Sequence, residues 1–430
     1  MTRETRFQVD TTLGVTSPRG FLAAAAAVGV KKLSEKPDVA LLACQVEAHA
    51  AAVFTQNKVC AAPVILSRNH LAARRTKMRG VVVNSGSANA CTGRQGLQDA
   101  REMASLAAKR IGCRPEQVLV ASTGVIGHLL PMDKVRAGIE QAGCSLAAGP
   151  PADLAFARAI MTTDTRSKQA GVRLALGGRN VTVAGAAKGV GMIAPNMATM
   201  LAFLTTDAPL AAPVLDRMLR RAADSTFNCL TVDGHTSTND TLLILASGLA
   251  LPDGGKAVAL RPTQGDPEHG RGVAERSADG RALAAAILAV CDSLARQIAA
   301  DAEGGTKVIE VRVTGAASRA EARRVAATIA NSPLVKTAFF GEDPNWGRIV
   351  SAAGYAGISS GPETMRLSLG DLVIFDRGRP VEADARHLKA IMEAHDIAVR
   401  LDLGAGAGEA RFLTCDLSYD YVKINAEYTT

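Results

Sequence analysis

The sequence predicts an α/β (α+β) protein in which layered sheets are covered by helices. Ten short apolar, β-branched runs bounded by Gly or Asn have strand length, and six longer segments repeat apolar residues three and four apart. The two kinds of segment are interleaved along 430 residues, room for two or three domains or one large two-layer body. A chain that is 47% hydrophobic and 21% charged, with 40 Gly and 17 Pro, is neither disordered nor collagenous.

Strands are expected at 39–43, 51–55, 79–84, 117–121, 171–176, 180–186, 241–246, 308–313, 397–403 and 409–414, where clustered apolar and β-branched side chains suit a pleated surface. Helices are expected at 97–111, 133–142, 212–224, 281–301, 319–330 and 385–394, because their apolar residues fall on one side at the 3.6-residue period. Strand order does not follow from one sequence. Residues 251–280, rich in Pro, Gly and charge and without apolar periodicity, read as a surface insertion. The longest near-continuous apolar stretch, Phe21 to Val30, is ten residues, about half the ~20 that a spanning helix needs, so no membrane segment is expected. The first residues, MTRETRFQVD, lack a signal core and carry Glu4 and Asp10, which points to a cytoplasmic protein.

The eight cysteines form no C-x-x-C pair and are expected to be small reduced core residues. The seven histidines show no metal-ligand spacing, so neither a metal nor a cofactor is expected. The net charge of +8 hints at nucleic acid, but only 3% of residues are aromatic, and the densest basic run, Arg74, Arg75, Lys77 and Arg79, is short. A solvated surface explains that run better.

The chemistry concentrates in KGVGMIAPNMATML, residues 188–201. Gly189, Gly191 and Ala194 match the dinucleotide pattern G-x-G-x-x-A after an expected strand, with Asp207 placed for a ribose. That reading predicts an oxidoreductase. The second reading starts from Ala198-Thr199. If the backbone breaks there, Thr199 gains an α-amine with a reference pKa of ~7.7–8.0, and one residue supplies both hydroxyl nucleophile and base. An isolated Ala-Thr pair in a strand would otherwise mean nothing.

The wider sequence favours the second reading. KGVGMIAPNMATMLAFLTTDA resembles the processing site of the ornithine acetyltransferase family, the glutamate N-acetyltransferases of arginine biosynthesis. GVTSPRGF (14–21), AAVFTQNKVCAAPV (51–64), VVVNSGSANACTG (81–93), STGVIG (122–127), MTTDT (161–165), VDGHTSTNDT (232–241), EGGTK (303–307), GEDPNWGRI (341–349) and INAEYTT (424–430) are similar to that family's blocks, in the family's order. The resemblance covers essentially the whole chain outside 251–280.

It implies a self-processing fold of the N-terminal-nucleophile type, cut between Ala198 and Thr199 into an α chain, 1–198, and a β chain, 199–430. The first would carry 25 basic and 12 acidic residues and the second 24 and 29, opposite net charges that favour their staying together. The implied reaction is ping-pong: Thr199 takes the acetyl group of N2-acetylornithine as an ester, releases ornithine, and passes the acetyl to glutamate. Acetyl-CoA remains open as a further donor, and an α2β2 heterotetramer is the implied assembly, with no nucleic-acid or membrane partner.

Residue by residue, the resemblance assigns Thr123 and Gly124 to the oxyanion pair, and Thr162, Lys188, Thr199, Glu303, Asn425 and Thr430 to substrate binding. Read without it, Lys188 is a solvated loop lysine, Glu303 a solvated residue at a helix end, and Asn425 and Thr430 part of a frayed terminus. Asn84–Ala90 and Asp233–Asp240 read as pocket-floor loops, and Trp346 as a packing anchor in a Pro-Asn-Trp-Gly turn. Ser87 and His235 depart from the family's usual Asn and Asp. An amidohydrolase or aminopeptidase, a nicotinamide oxidoreductase and a non-enzymatic interaction protein remain as alternatives, separable by acetate release, nucleotide binding and an uncut chain respectively.

Overall fold

Two sheets organise the computed structural model, which describes residues 7–31, 36–194, 200–252, 273 and 275–427. Its strands are β1 (Phe21–Ala26), β2 (Val39–Phe54), β3 (Met78–Ser87), β4 (Val118–Val125), β5 (Lys168–Leu176), β6 (Arg179–Lys188), β7 (Leu201–Thr206), β8 (Thr241–Ala246), β9 (Leu251–Pro252), β10 (Val308–Ala316), β11 (Arg366–Leu369), β12 (Leu372–Asp376), β13 (Arg379–Pro380), β14 (Asp396–Asp402) and β15 (Gly408–Cys415). The helices are α1 (Ala62–Arg74), α2 (Gly93–Ile111), α3 (Met132–Cys144), α4 (Pro150–Ala159), α5 (Ala212–Ser225), α6 (Ala278–Ala299), α7 (Arg319–Asn331), α8 (Pro333–Phe340), α9 (Trp346–Tyr355), α10 (Ala385–Glu393) and α11 (Tyr419–Glu427).

The larger sheet runs β4-β3-β2-β8-β7-β6-β5, with β1 on β2 and β9 on β6. β7 and β8 are parallel to each other and sit between β2 and β6, to which they are antiparallel. A chain divided at 198/199 would therefore interleave its two parts within one sheet. Helices α5 and α6 bury Leu215, Leu219, Leu283, Ile287 and Leu294 against one face, together with Val183, Leu204 and Ile244. Phe156 of α4 meets Phe203 of β7 edge-on at 5.4 Å on the other. Each such side chain contributes about 1.5–3 kcal/mol when fully buried. The smaller sheet, β13-β12-β11-β14-β10-β15, packs its own core under α7 and α9.

Local chemistry sets the helix ends. Ser277 caps α6, and Ser318 caps α7 by accepting the Glu321 amide at 3.1 Å, while Glu321 reaches back to the Ala317 amide at 2.6 Å. By length and composition α6 is apolar enough to cross a bilayer, but half of that window is buried here in the core.

All ten expected strands and all six expected helices have counterparts, with corrections. Residues 39–43 and 51–55 belong to one 16-residue strand, β2, whose register shifts between Ala43 and Ala48 as it passes from β3 to β8. The Ala-rich stretch after Phe21 is β1. The insertion is shorter at both ends than 251–280, because Leu251 pairs with Asn180 and α6 begins at Ala278; residues 253–272 and 274 lie outside the described residues. Trp346 opens α9 rather than sitting in a turn, and it stacks on Phe375 at 5.1 Å. The cysteines are all free, but only Cys44, Cys229, Cys291 and Cys415 are buried; Cys91 and Cys144 are exposed.

Candidate active site

The start of β7 is the point where the sheet brings the chemistry together. Lys188, the last residue of β6, pairs with Leu201, and Leu201 pairs with Thr241 of β8. Ala198 and Thr199, on which the cleavage reading rests, lie outside the described residues, as does Thr430. The chain on either side of 195–199 is held by two carboxylates of one loop. Before it, Asp233 accepts the amides of Met192 at 2.5 Å and Ile193 at 2.9 Å. After it, Asp240 accepts the Met200 amide at 3.1 Å, and the Met200 carbonyl accepts the Thr241 amide at 3.1 Å.

Thr123 and Gly124 lie near the end of β4, beside β3. Gly124 has φ +131°, and a Cβ there would stand 2.3 Å from the Gly86 carbonyl carbon, so the close approach of β3 and β4 requires glycine. Asn239, beside Asp240, ties this edge to the loop by donating to the Ser122 and Ala88 carbonyls at 2.9 and 2.6 Å.

Lys188 is no solvated loop lysine. It is 3% exposed, and its Nζ donates to Thr123 Oγ1 at 3.2 Å. Burial pushes its pKa down, and the Asp164 carboxylate partly offsets this. Asp164 itself, although burial opposes ionisation, is held below the usual carboxylate range by Lys188, Lys168 and the Gly189 amide at 2.8 Å. Lys168, fully buried, bridges Asp164 at 2.7 Å and Asp301 at 2.5 Å. This triad ties the loop after α4, where the Thr162 amide donates to Asp164 Oδ2 at 3.0 Å, to the turn after β6 and the end of α6.

Glu303 is half-buried. Its amide donates to the Val190 carbonyl at 2.8 Å, while its carboxylate accepts Thr163 Oγ1 at 2.8 Å and Asn425 Nδ2 at 3.3 Å. Asn425 is therefore in a helix, α11, and not in a frayed tail. Thr123, Gly124, Thr162, Lys188, Glu303 and Asn425, drawn from five separate stretches of chain, line one cavity of ≈ 140 Å³. A larger hollow of ≈ 1230 Å³ lies elsewhere, beside α6. Two of its lining arginines are already paired, Arg411 with Asp292 and Arg296 with Glu310, and none of the residues singled out from the sequence lines it.

Sequence reasoning missed Asp164, Lys168, Asp233, Asp240 and Asp301, and treated 233–240 as scaffold. Four acids within or beside quoted motifs were the available signal. The glycine pattern is corrected: β6 is followed by the antiparallel β7, whereas a dinucleotide unit needs a parallel crossover through a helix. Of the two departures, Ser87 donates to the His128 carbonyl at 3.2 Å, and the exposed His235 side chain sits 3.7 Å from Asp233.

A layered α/β scaffold that gathers a buried lysine, a glycine required by close strand approach and an anchored carboxylate around one strand start has the make-up of an enzyme site. The particular family follows from comparison: the chain belongs to the ArgJ family, whose model matches residues 22–430. It is 50% identical over 418 residues to the arginine biosynthesis bifunctional protein ArgJ of Symbiobacterium thermophilum, covering 97% of this chain and 98% of that protein. Among solved structures, the arginine biosynthesis bifunctional protein argJ of Bacillus halodurans is 41% identical, over 53% of this chain and 98% of that one, with a TM-score of 0.45. The ornithine acetyltransferase of Mycobacterium tuberculosis, solved with ornithine, is 36% identical, over 46% of this chain and 100% of that one, with a TM-score of 0.41.

Proposed function

We propose that this chain is a glutamate N-acetyltransferase of arginine biosynthesis, moving acetyl from N2-acetylornithine to glutamate through an ester on Thr199. The observation that carries the reading is the convergence of all six described site residues on one cavity at the start of β7, with Met200 anchored directly after Thr199.

The steps follow from one oxygen used twice. In the precursor the Thr199 hydroxyl attacks the Ala198 carbonyl, the acyl group shifts from nitrogen to oxygen, and water opens the ester, leaving 1–198 and 199–430. The new α-amine then takes the hydroxyl proton as the oxygen attacks the acetyl carbonyl of N2-acetylornithine; the C–N bond breaks and ornithine leaves with that proton. Glutamate's α-amine attacks the acetyl ester, forming N-acetylglutamate and returning the hydroxyl. Thr123 and Gly124 offer donors to each tetrahedral oxyanion, and the ammonium of Lys188 beside Thr123 adds positive potential in a water-poor site. Glu303 takes the side-chain ammonium of ornithine, while Thr162, Asn425 and Thr430 complete substrate binding.

The interleaving of β7 and β8 between β2 and β6 supports α and β chains that stay together, and an α2β2 assembly is the proposed form, located in the cytoplasm. Acetyl-CoA as a further donor matches the bifunctional name that the relative carries. The hydrolase reading is not favoured. Intact mass under denaturing conditions tests the proposal: active protein gives two species split between Ala198 and Thr199, and Thr199→Ala gives one inactive chain. An uncut chain with full activity, or acetate release without transfer to glutamate, overturns it.

A further inference from the structure

Lys188 is buried, yet no carboxylate hydrogen-bonds to it among the described residues; its Nζ donates to the neutral hydroxyl of Thr123 at 3.2 Å. A buried ammonium is costly unless a counter-charge stands near, and a lysine without one sheds its proton. The charged groups facing it are Asp164, Lys168, Asp240 and Glu303, with Lys31 from the segment after β1. The two lysines oppose a further positive charge. Of the three acids, burial lifts Asp240 well above the usual carboxylate range, and the half-buried Glu303 has its oxygens taken by Thr163 and Asn425. Asp164 alone is both fully buried and held ionised.

A count of charge points the same way. Lys168 is a single ammonium between two buried carboxylates, Asp164 at 2.7 Å and Asp301 at 2.5 Å. Arg166 approaches Asp301 only at 3.9 Å, with 56% of its side chain exposed, where solvent screens it. The buried cluster is thus one positive charge short, and Lys188 supplies it. Asp164 also holds the chain that carries two site residues. Its Oδ2 accepts the Thr162 amide at 3.0 Å, and its Oδ1 accepts the amide of Gly189, the residue after Lys188, at 2.8 Å.

We infer that Asp164 is a positioning residue acting through Lys188: its two oxygens fix the backbone at Thr162 and Gly189, and its charge keeps Lys188 an ammonium directed at Thr123. Asp164 does not line the cavity, so it touches no reacting atom, and no bond-making step is added. The catalytic consequence rests on the proposed acetyl transfer, in which Lys188 lends positive potential to the oxyanion; the pairing of charges stands apart from it.

Asp164→Asn tests this, because it keeps the size of the side chain and removes the charge. The expected variant is cut normally and loses at least about tenfold in kcat at about pH 8. Its kcat–pH bell narrows from one side: the basic limb, set by Lys188, moves at least about one pH unit lower, since burial and Lys168 then disfavour the proton, while the acid limb stays in place. Asp164→Glu, which keeps the charge, should hold the basic limb near its wild-type position even where KM rises. A purely structural brace would raise KM or lower the melting temperature and leave the basic limb of Asp164→Asn unmoved, and that result overturns the inference. Wild-type protein without acetyl transfer would sink the proposed function instead. In that case, or if Asp164→Asn stays uncut or unfolded, competitive labelling of the Lys188 amine in wild type with acetic anhydride decides, since Lys188 lines the cavity. An apparent pKa above about 8 supports the pairing, and one at or below about 8 overturns it.

Discussion

Gly191→Ala is the smallest change that tests how the pocket grips its substrate. A Cβ at this position would stand 2.3 Å from Glu303 Oε2 and 2.7 Å from its carboxyl carbon, whereas ordinary contact begins at 3.4 Å. The carboxylate must retreat by about 1.1 Å, the difference between the first and last of those distances. Gly191 is not among the residues with positive φ, so alanine fits the backbone, and the atom that yields is the end of a flexible side chain. The fold survives; the carboxylate leaves Thr163 Oγ1 and Asn425 Nδ2, now 2.8 and 3.3 Å away. A hydrogen bond to a charged group is worth about 1.5–3 kcal/mol, which at ~1.4 kcal/mol per decade predicts a ~10- to 150-fold fall in kcat/KM for N2-acetylornithine, chiefly through KM. Glu303→Gln should fall within the same range. Steady-state kinetics on protein shown by intact mass to be fully cut provides the assay. A kcat/KM within about twofold of wild type would refute both the role given to Glu303 and the reasoning from the glycine.

Three further outcomes are expected. Lys168→Met in an uncut Thr199→Ala background strands Asp164 and Asp301 in the interior and should cost about 3–5 kcal/mol in urea unfolding at neutral pH, less as acid protonates the two carboxyls; an unchanged midpoint would show that the triad is not coupled to stability. Gly124→Ala sets a Cβ against the Gly86 backbone at a φ of +131° and should lower kcat by about 10²–10³, with near-normal turnover contradicting the oxyanion assignment. In the same uncut background, the folded pKa of Asp240 lies above its unfolded value of 3.8, so the folded state binds the extra proton: the associated stability is complete below that value and is lost as pH rises through the raised one. Thermal melts between about pH 4 and pH 8 should show that loss in Thr199→Ala and a flatter profile once Asp240→Asn is added; identical slopes would count against it.

Most of the secondary structure could be read along the chain, since a strand or helix that buries one face must repeat apolar residues at its own period. Where that signal is weak, the reading failed: β1 and α4 are Ala-rich and short, and β11–β13 span only a few residues each. The identities of Thr123, Gly124, Thr162, Lys188, Glu303 and Asn425 were legible through family resemblance, but not why they belong together.

Sequence alone thus determined many of the longer elements, the ordered motifs and the family. Tertiary structure decided that β7 enters the sheet between β6 and β8, that Lys188 is buried rather than solvated, and that Asp233 and Asp240 hold the chain on either side of 195–199. The physical reason is range. Periodicity records which side of an element faces the core, within a few residues, whereas the desolvation of Lys188 and the burial of Asp240 against the Met200 amide arise only when segments tens of residues apart are packed against each other.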